Sequence, residues 1–252
     1  MDDPRQDAPA DTRTARVTGE EALAMHAEGR PGKLEIRLTK PLVTARDLSL
    51  AYSPGVAAPC LAIKDDPGAA ALYTGRANLV GVVSNGSAVL GLGNIGPLAA
   101  MPVMEGKAML METLVGLSGI PILLNTKDTE EIIRTVAAIA PTFAAIQLED
   151  ISAPRCFEIE ERLQAMLDIP VMHDDQHGTA VVSSAAVMVA AREAGMDFSK
   201  AVIGQIGLGA AGQAIGQMMM RLTGNPVYGA DLSQEALNRF EKHGGIKSDL
   251  LE

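Results

Sequence analysis

Cysteine is scarce in this 252-residue chain, which contains only Cys60 and Cys156. Two cysteines in a chain of this length do not form a disulfide framework, and neither stands in a metal-ligand spacing. We therefore expect both to be buried thiols in a reducing cytoplasm.

The chain also lacks basic runs and long apolar runs. The formal net charge of −10 argues against nucleic acid or an anionic membrane surface as the main partner. No apolar run approaches the length of a membrane span, and the acidic, polar amino terminus does not resemble a signal peptide. We expect residues 1–16 to be a flexible tail, and small anionic substrates to need a local metal ion or cation.

The composition, 47% hydrophobic and 21% charged, is that of a soluble globular protein with one large or two ordinary domains. Strand and helix patterns alternate from Asn78 onward, which predicts an α/β fold with a mostly parallel sheet. The boundary between the two predicted domains lies in a long helix predicted over Ala180–Ala194. The expected organisation is a tail and first helix over 1–30, a catalytic domain over 31–190 and a dinucleotide-binding domain over 191–252.

The central stretch of the chain predicts a βαβ unit. Apolar runs at Phe143–Leu148 and Ile169–Met172 indicate two strands, and a helix beginning near Pro154 lies between them. The apolar spacing on that helix leaves its charged residues largely for solvent, and these are Glu158, Glu160, Glu161 and Arg162.

A pair of acids follows each predicted strand, Glu149-Asp150 after the first and Asp174-Asp175 after the second. Parallel strands end at the same edge of a sheet, so the four carboxylates converge there. Such a cluster favours a hard divalent cation, Mg²⁺ or Mn²⁺. The alternative is that the acids cap the helices that follow, since Asp is a favoured N-cap residue.

Two other side chains are candidates for proton transfer. Tyr52 stands beside the Pro-Gly bend of YSPG, although a tyrosine is most often a packed aromatic. Lys107 lies in a helix rich in Met and Leu; desolvation there would lower its pKa and suit it to general-base work. The alternative for Lys107 is an ordinary solvated lysine. Residues 51–63, AYSPGVAAPCLAI, are predicted to form a loop that contains Tyr52 and the Pro-Gly bend.

The segment AVIGQIGLGAAG predicts a strand, a glycine-rich turn and the start of a helix. Its cofactor-binding candidates are Gly207, Gly209, Ala210, Ala211 and Gly212. Asp231 follows the last glycine by nineteen residues, the spacing of a carboxylate that binds the ribose of NAD. The chain ends after this βαβ unit and one more helix, which predicts a partial Rossmann-type domain.

Four motifs in this order, AYSPGVAAPC, NLVGVVSNGSAVLGLGNIGPLAAMPVMEGKAML, LEDISAPRCFEIE and HDDQHGTA, resemble the malic enzymes, specifically the small bacterial type. The resemblance implies conversion of malate to pyruvate and CO₂ with NAD or NADP and Mg²⁺ or Mn²⁺, in a homodimer. It implies that Tyr52 is the general acid and Lys107 the general base, supported by Asp174. The implied metal ligands are Glu149, Asp150 and Asp175.

The sequence departs from the family pattern in three places. The stretch SAVLGLG has no Arg, Ser84-Asn85-Gly86 replaces Thr-Asp-Gly, and the family's later motifs are missing. We therefore expect an amino-terminal portion of such an enzyme. The alternatives are a non-catalytic fragment and a protein that only decarboxylates oxaloacetate with a metal. Asp231 favours NAD over NADP, since a carboxylate repels a 2′-phosphate.

Overall fold

A computed structural model describes residues 17–248 of the chain, and the expected tail, residues 1–16, lies outside the described residues. The chain divides into two compact units, the first ending at Lys33 and the second beginning at Leu34. The first contains helix α1 (Gly19–Ala27), whose N-cap Thr18 and Glu21 bond each other's backbone amides. The helix ends at Ala27, and Gly29 beyond it has a positive φ, a conformation that glycine adopts readily.

The second unit opens with three short helices, α2 (Ala45–Ala51), α3 (Ala57–Asp65) and α4 (Ala70–Tyr73). The prediction of a loop over residues 51–63 is therefore wrong in its second half. The Pro-Gly bend after Tyr52 is present, but it leads directly into α3. Pro59 is tolerated because it lies in the first turn, where its missing N–H has no intrahelical partner to lose.

The larger sheet is built from alternating strands and helices. These are β1 (Leu79–Ser84), α5 (Pro97–Val115), β2 (Ser118–Leu123), α6 (Thr129–Ile139), β3 (Ala145–Leu148), α7 (Arg155–Met166), β4 (Val171–His173) and α8 (Asp174–Glu193). All four strands are parallel, in the order β2-β1-β3-β4. β4 begins later than predicted because Pro170 has no N–H for the ladder. Short 3₁₀ turns lie at Pro67–Ala69, Gly75–Asn78, Ala140–Thr142 and Phe198–Lys200.

Helix α8 begins at Asp174, six residues before the predicted start at Ala180. Asp174 and Asp175 form its first turn, where negative charge is favourable to the helix dipole. Gly178 does not interrupt the helix. A Cβ at Gly178 would overlap the Asp174 carboxylate, so the glycine leaves room for that side chain.

The core of this sheet lies between β1, β3, α6 and α7. Cys156 is buried there, as expected, and burial raises the pKa of its thiol to about 12. Cys60 on α3 is exposed, so the expectation that it is buried is wrong. Glu160 was expected to face solvent, but it is 6% exposed. The acid is accommodated because it accepts several hydrogen bonds, described below.

A smaller sheet follows, with β5 (Ile203–Ile206), α9 (Ala210–Thr223), β6 (Val227–Ala230), α10 (Gln234–Lys242) and β7 (Ile246–Lys247). Its strands are parallel in the order β5-β6-β7. The sequence did not predict β7, which is two residues long. Helix α9 packs on α8. The predicted α/β fold with parallel sheets is confirmed, while the boundaries at 30 and 190 stay predictions.

Phe240 fills the core of the smaller sheet together with Leu208, Met219 and Val227. Glycines from α9, β6 and the segment before β7 lie against its ring, namely Gly216, Gly229 and Gly245. A Cβ at any of these positions would overlap the ring. The close approach of the backbone to this ring therefore depends on the absence of side chains there.

Among the described residues, no helix has both the length and the apolar character needed to cross a bilayer.

Candidate functional site

Three carboxylates meet at the carboxyl edge of the larger sheet. Glu149 and Asp150 follow β3, and Asp175 lies in the first turn of α8, directly after the neighbouring strand β4. One oxygen from each lies within 4.8 Å of the others. The predicted convergence of the acid pairs is therefore observed, and these three groups can surround a single cation.

The cluster is poorly neutralised by its surroundings. Burial and the negative charge of Asp174 and Asp175 raise the pKa of Glu149 to about 7, against the attraction of Lys107. Burial and the neighbouring Asp175 raise the pKa of Asp150 to about 6. The Oδ2 atom of Asp150 is buried with no hydrogen-bond partner among the described residues. These features fit a hard divalent cation with oxygen ligands, which would supply the missing partner.

The backbone of Asp150 is held by two other segments. Its φ is +53°, in the left-handed region that Asp and Asn tolerate better than most residues. Its carbonyl accepts hydrogen bonds from the amides of Ser87 and Ala88 at 3.0 Å, and its own amide donates to Asp175 Oδ2 at 2.9 Å. These contacts fix the direction in which the carboxylate leaves the chain.

Lys107 reaches the same cluster from α5. Its Nζ lies 2.8 Å from Asp174 Oδ2 and 3.3 Å from Glu149 Oε1. Burial acts to lower the pKa of Lys107, but the bonds and charges of Asp174 and Glu149 outweigh it, so the pKa is raised. The prediction of a lowered lysine pKa is therefore wrong for the chain alone, because it left out the acids.

The capping alternative for the acid pairs does not describe the structure. The N-cap of α7 is Pro154 and that of α8 is His173, and neither helix has a side-chain cap hydrogen bond. The carboxylates instead point towards one another and Lys107.

Tyr52 is the candidate that the structure does not bring to the cluster. It follows α2 and is 70% exposed. Within residues 17–248, no hydrogen bond joins its hydroxyl to the acids or Lys107. Its proposed role stays a prediction.

The glycine-rich turn between β5 and α9 has the predicted form. Gly207 has φ +86°, and a Cβ at Gly212 would overlap the Gly207 carbonyl, so both positions need glycine for the fold itself. A Cβ at Gly209 would meet nothing within 4 Å. The Gly209 position, the N-cap of α9, and the following Ala210 and Ala211 therefore leave an open helix N-terminus, which suits a phosphate group.

Asp231 closes this turn from the end of β6. Its Oδ2 accepts a hydrogen bond from the Leu208 amide at 2.5 Å, and its Oδ1 accepts one from the Ser233 amide at 2.7 Å. These backbone bonds lower the pKa of Asp231. The carboxylate therefore positions the glycine turn, whatever it contributes to ribose binding.

Sequence reasoning missed a second set of polar residues behind the carboxylates, and these are Gln147, Glu160, His173 and Gln176. All four are buried. A signal for Glu160 was present, because it shares the helical stripe of the buried residues Cys156, Ile159 and Leu163. A charged residue in such a stripe indicates a buried polar partner.

Residues 31–164 match the family model described as "Malic enzyme, N-terminal domain". The chain is 54% identical over 229 residues to the NAD-dependent malic enzyme 1 of Bacillus subtilis (strain 168), covering 91% of this chain and 52% of that protein. It is 51% identical over 210 residues to an NADP-dependent malic enzyme of Rhizobium meliloti (strain 1021), with 83% and 28% covered.

Solved structures give the same result. The malic enzyme of Pyrococcus horikoshii Ot3 superposes with a TM-score of 0.82 at 45% identity, over 85% of this chain and 51% of that one. The NAD-dependent malic enzyme of Thermotoga maritima superposes with a TM-score of 0.82 at 38% identity, over 91% and 63%. The chain thus spans about half the length of the Bacillus relative, where 52% is covered.

Proposed function

Because the chain belongs to the malic enzyme family, we propose that it contains the metal and substrate site for oxidative decarboxylation of malate to pyruvate and CO₂ with a nicotinamide dinucleotide. The observation that carries this proposal is the cluster of Glu149, Asp150 and Asp175 beside the Lys107–Asp174 ion pair. We further propose that the protein acts in the cytoplasm. Its exposed Cys60 and buried Cys156 are both free thiols, which fits a reducing compartment.

The three carboxylates would hold Mg²⁺ or Mn²⁺. When bound, the ion supplies Lewis-acid chemistry, making the malate hydroxyl easier to deprotonate and stabilising the charge left after CO₂ departs. One oxygen of each carboxylate lies within 4.8 Å of the others, and the amides of Ser87 and Ala88 fix the backbone of Asp150 in this arrangement. This preorganisation reduces the cost of binding.

Lys107 is proposed to take the proton of the malate hydroxyl at Nζ. Asp174 holds the ammonium group in place at 2.8 Å. A general base must be neutral before it accepts a proton, and Glu149 helps to keep Lys107 charged. Neutralising the Glu149 carboxylate would therefore lower the pKa of Lys107 towards the range in which a base works.

The direct test is the absorbance at 340 nm of purified protein with Mn²⁺, malate and either dinucleotide. Formation of the reduced cofactor supports the proposal. No change would show that this chain as it stands does not catalyse the oxidation.

A second candidate activity is metal-dependent decarboxylation of oxaloacetate. The observation in its favour is that the carboxylates and Lys107 all lie at the carboxyl edge of the larger sheet, and this reaction needs no hydride acceptor. Release of CO₂ from oxaloacetate that requires Mn²⁺ and is lost in Asp175→Ala would establish it. If both assays are negative and calorimetry shows no binding of NAD, the chain is a non-catalytic fragment.

We propose that the cofactor is NAD in preference to NADP, because Asp231 would repel a 2′-phosphate. Asp231→Asn removes the charge but keeps an acceptor oxygen for only one of the Leu208 and Ser233 amides, so the affinity for NAD is measured alongside that for NADP. The expected result is a dissociation constant for NADP that moves towards that for NAD, measured by calorimetry on both proteins. A wild type that prefers NADP, or a ratio unchanged by the substitution, would contradict this role.

A homodimer is proposed, with the partner covering exposed apolar side chains of residues 36–61. Ile36 and Val43 are 96% and 85% exposed, and Leu48, Leu50 and Leu61 are also exposed. Burying such side chains is worth roughly 25 cal/mol per Å², and contiguous exposed apolar surface indicates a protein interface. Tyr52 lies in the same segment, so the partner would change its surroundings.

Sedimentation at micromolar concentration is expected to give twice the chain mass of 26.3 kDa. Val43→Glu is expected to shift the protein to monomer, because a carboxylate would be buried at the interface. Leu232→Glu is the matched control, since Leu232 is 95% exposed and lies after β6. A wild-type monomer would rule out the proposed dimer.

Mn²⁺ binding is expected to weaken as the pH falls. Glu149 and Asp150 must be deprotonated to bind the ion, and their pKa values are raised to about 7 and about 6. Affinity is therefore present above these pKa values and is lost below them, with a decrease of about 10-fold or more from pH 8 to pH 6. Calorimetric titration at the two pH values measures this, and equal affinities would contradict the assignment of ligands.

A further inference from the structure

A buried polar chain runs from α7 to the carboxylate of Asp175. It consists of Glu160 on α7, His173 at the end of β4, and Gln176 on α8. All three side chains are buried, and His173 is fully so. Buried polar groups are costly unless they form hydrogen bonds. Each nitrogen and oxygen in this series of side chains must therefore act as a donor or an acceptor in a way that fits its neighbours.

Glu160 sets the direction at one end. Its Oε1 accepts the His173 backbone amide at 2.7 Å, and its Oε2 accepts from Gln176 Nε2 at 3.0 Å. His177 Nε2 lies 2.9 Å from Oε1 and 3.0 Å from Oε2. A carboxylate only accepts hydrogen bonds, so Gln176 must present its NH₂ group and not its carbonyl to Glu160.

The orientation of Gln176 then determines the tautomer of His173. The same Nε2 atom of Gln176 lies 3.3 Å from His173 Nδ1. Because this nitrogen is a donor, Nδ1 must accept, and in a neutral imidazole the proton then resides on Nε2. No other order of protons satisfies both contacts.

The proton on Nε2 faces the carboxylate cluster. His173 Nε2 lies 3.1 Å from Asp175 Oδ2, but the contact lacks hydrogen-bond geometry, and Nε2 has no hydrogen-bond partner among the described residues. The same Oδ2 accepts the Asp150 amide. The Asp150 amide and His173 Nε2 thus lie within 2.9 and 3.1 Å of the same oxygen of Asp175, and together they restrict the positions that this oxygen can take.

We infer that His173 is a positioning residue that holds Asp175 in the orientation needed to bind a divalent cation, with Glu160 and Gln176 selecting its Nε2–H tautomer. The inference rests on the proposed metal site. Partners that orient a metal ligand typically change metal affinity by 10–100-fold when they are removed. If the network served only to connect α7 to α8, the affinity for Mn²⁺ would not depend on which tautomer His173 adopts.

The test compares Mn²⁺ affinity by calorimetry at pH 7.5 in wild type and three variants. His173→Leu is expected to bind about 10-fold more weakly, whereas His173→Gln is expected to stay within about 3-fold, because its amide N–H can replace Nε2–H. His243→Leu, at an exposed histidine, is the matched control and is expected to bind as wild type does.

A second measurement does not depend on metal. The chain has four histidines, so ¹⁵N-histidine spectra of the metal-free protein can be assigned with His173→Gln. The proton of His173 is expected on Nε2 in wild type, and Gln176→Leu is expected to remove that preference. These spectra decide the question even if His173→Leu does not fold.

The inference is overturned if His173→Leu folds and binds Mn²⁺ as tightly as wild type, or if wild-type His173 carries its proton on Nδ1. Wild-type protein that binds no Mn²⁺ at all would overturn the proposed metal site as well. If His173→Leu loses Mn²⁺ affinity while wild type and His173→Gln retain it, both the role of His173 and the metal site are supported.

Discussion

Asp150→Asn is expected to lower the affinity for Mn²⁺ by about 100-fold or more. Removing a partner behind a metal ligand already costs 10–100-fold, and Asp150 is proposed to be a ligand itself. Asparagine has the same shape and tolerates the left-handed φ of +53°, so the backbone contacts with Ser87 and Ala88 can remain. The expected loss is therefore an effect of charge and not of folding.

Thermal unfolding with and without Mn²⁺ separates these effects. Burial raises the pKa of Asp150, so the charged form is unfavourable without an ion, and the metal-free variant is expected to be at least as stable as wild type. Only the stabilisation by Mn²⁺ is expected to disappear. Asp168→Asn, the same change at an exposed aspartate, is the control. If Mn²⁺ raises the unfolding temperature of Asp150→Asn by as much as that of wild type, the metal assignment is refuted.

Gly209→Ala is expected to weaken NAD binding by about 10-fold or more while leaving the stability of the chain nearly unchanged. The three glycines of the motif have different reasons to be glycine. Gly207 needs its positive φ and Gly212 needs space beside the Gly207 carbonyl, but a Cβ at Gly209 meets no atom of the protein. Only a ligand that approaches the backbone closely, as a pyrophosphate does in this motif, would make that Cβ unfavourable.

Calorimetric titration with NAD and thermal unfolding are the two measurements. Gly204→Ala is the matched control, because a Cβ at Gly204 also meets nothing within 4 Å and the position lies in β5. A stability change within about 0.5 kcal/mol is expected for both variants. If Gly209→Ala binds NAD as tightly as Gly204→Ala does, the cofactor does not approach this turn.

Local sequence signals predicted the parts of the structure that depend on neighbouring residues along the chain. The apolar runs before Glu149 and Asp174 indicated parallel strands, and parallel strands bring the residues that follow them to one edge. The glycine spacing before α9 likewise predicted the turn between β5 and α9. Both features are specified by residues that are close together in the sequence, so they could be predicted from it.

The misassigned features depend on contacts between distant segments. Lys107 was expected to have a lowered pKa from its apolar neighbours on α5, but Asp174 and Glu149 come from other elements and reverse the sign. Glu160 was assigned to solvent because its partners His173 and Gln176 lie thirteen and sixteen residues further along the chain. The short strand β7 exists only through pairing with β6.

The packing of Phe240 has a consequence for the motion of the smaller sheet. Its ring is enclosed by the backbones of Gly216, Gly229 and Gly245, and close-packed backbone gives way less readily than side chains. A half-turn of the ring therefore requires α9, β6 and the segment before β7 to separate together. The two edges of the ring should give distinct proton signals in NMR. The rate at which these signals exchange would measure how often α9, β6 and the segment before β7 separate.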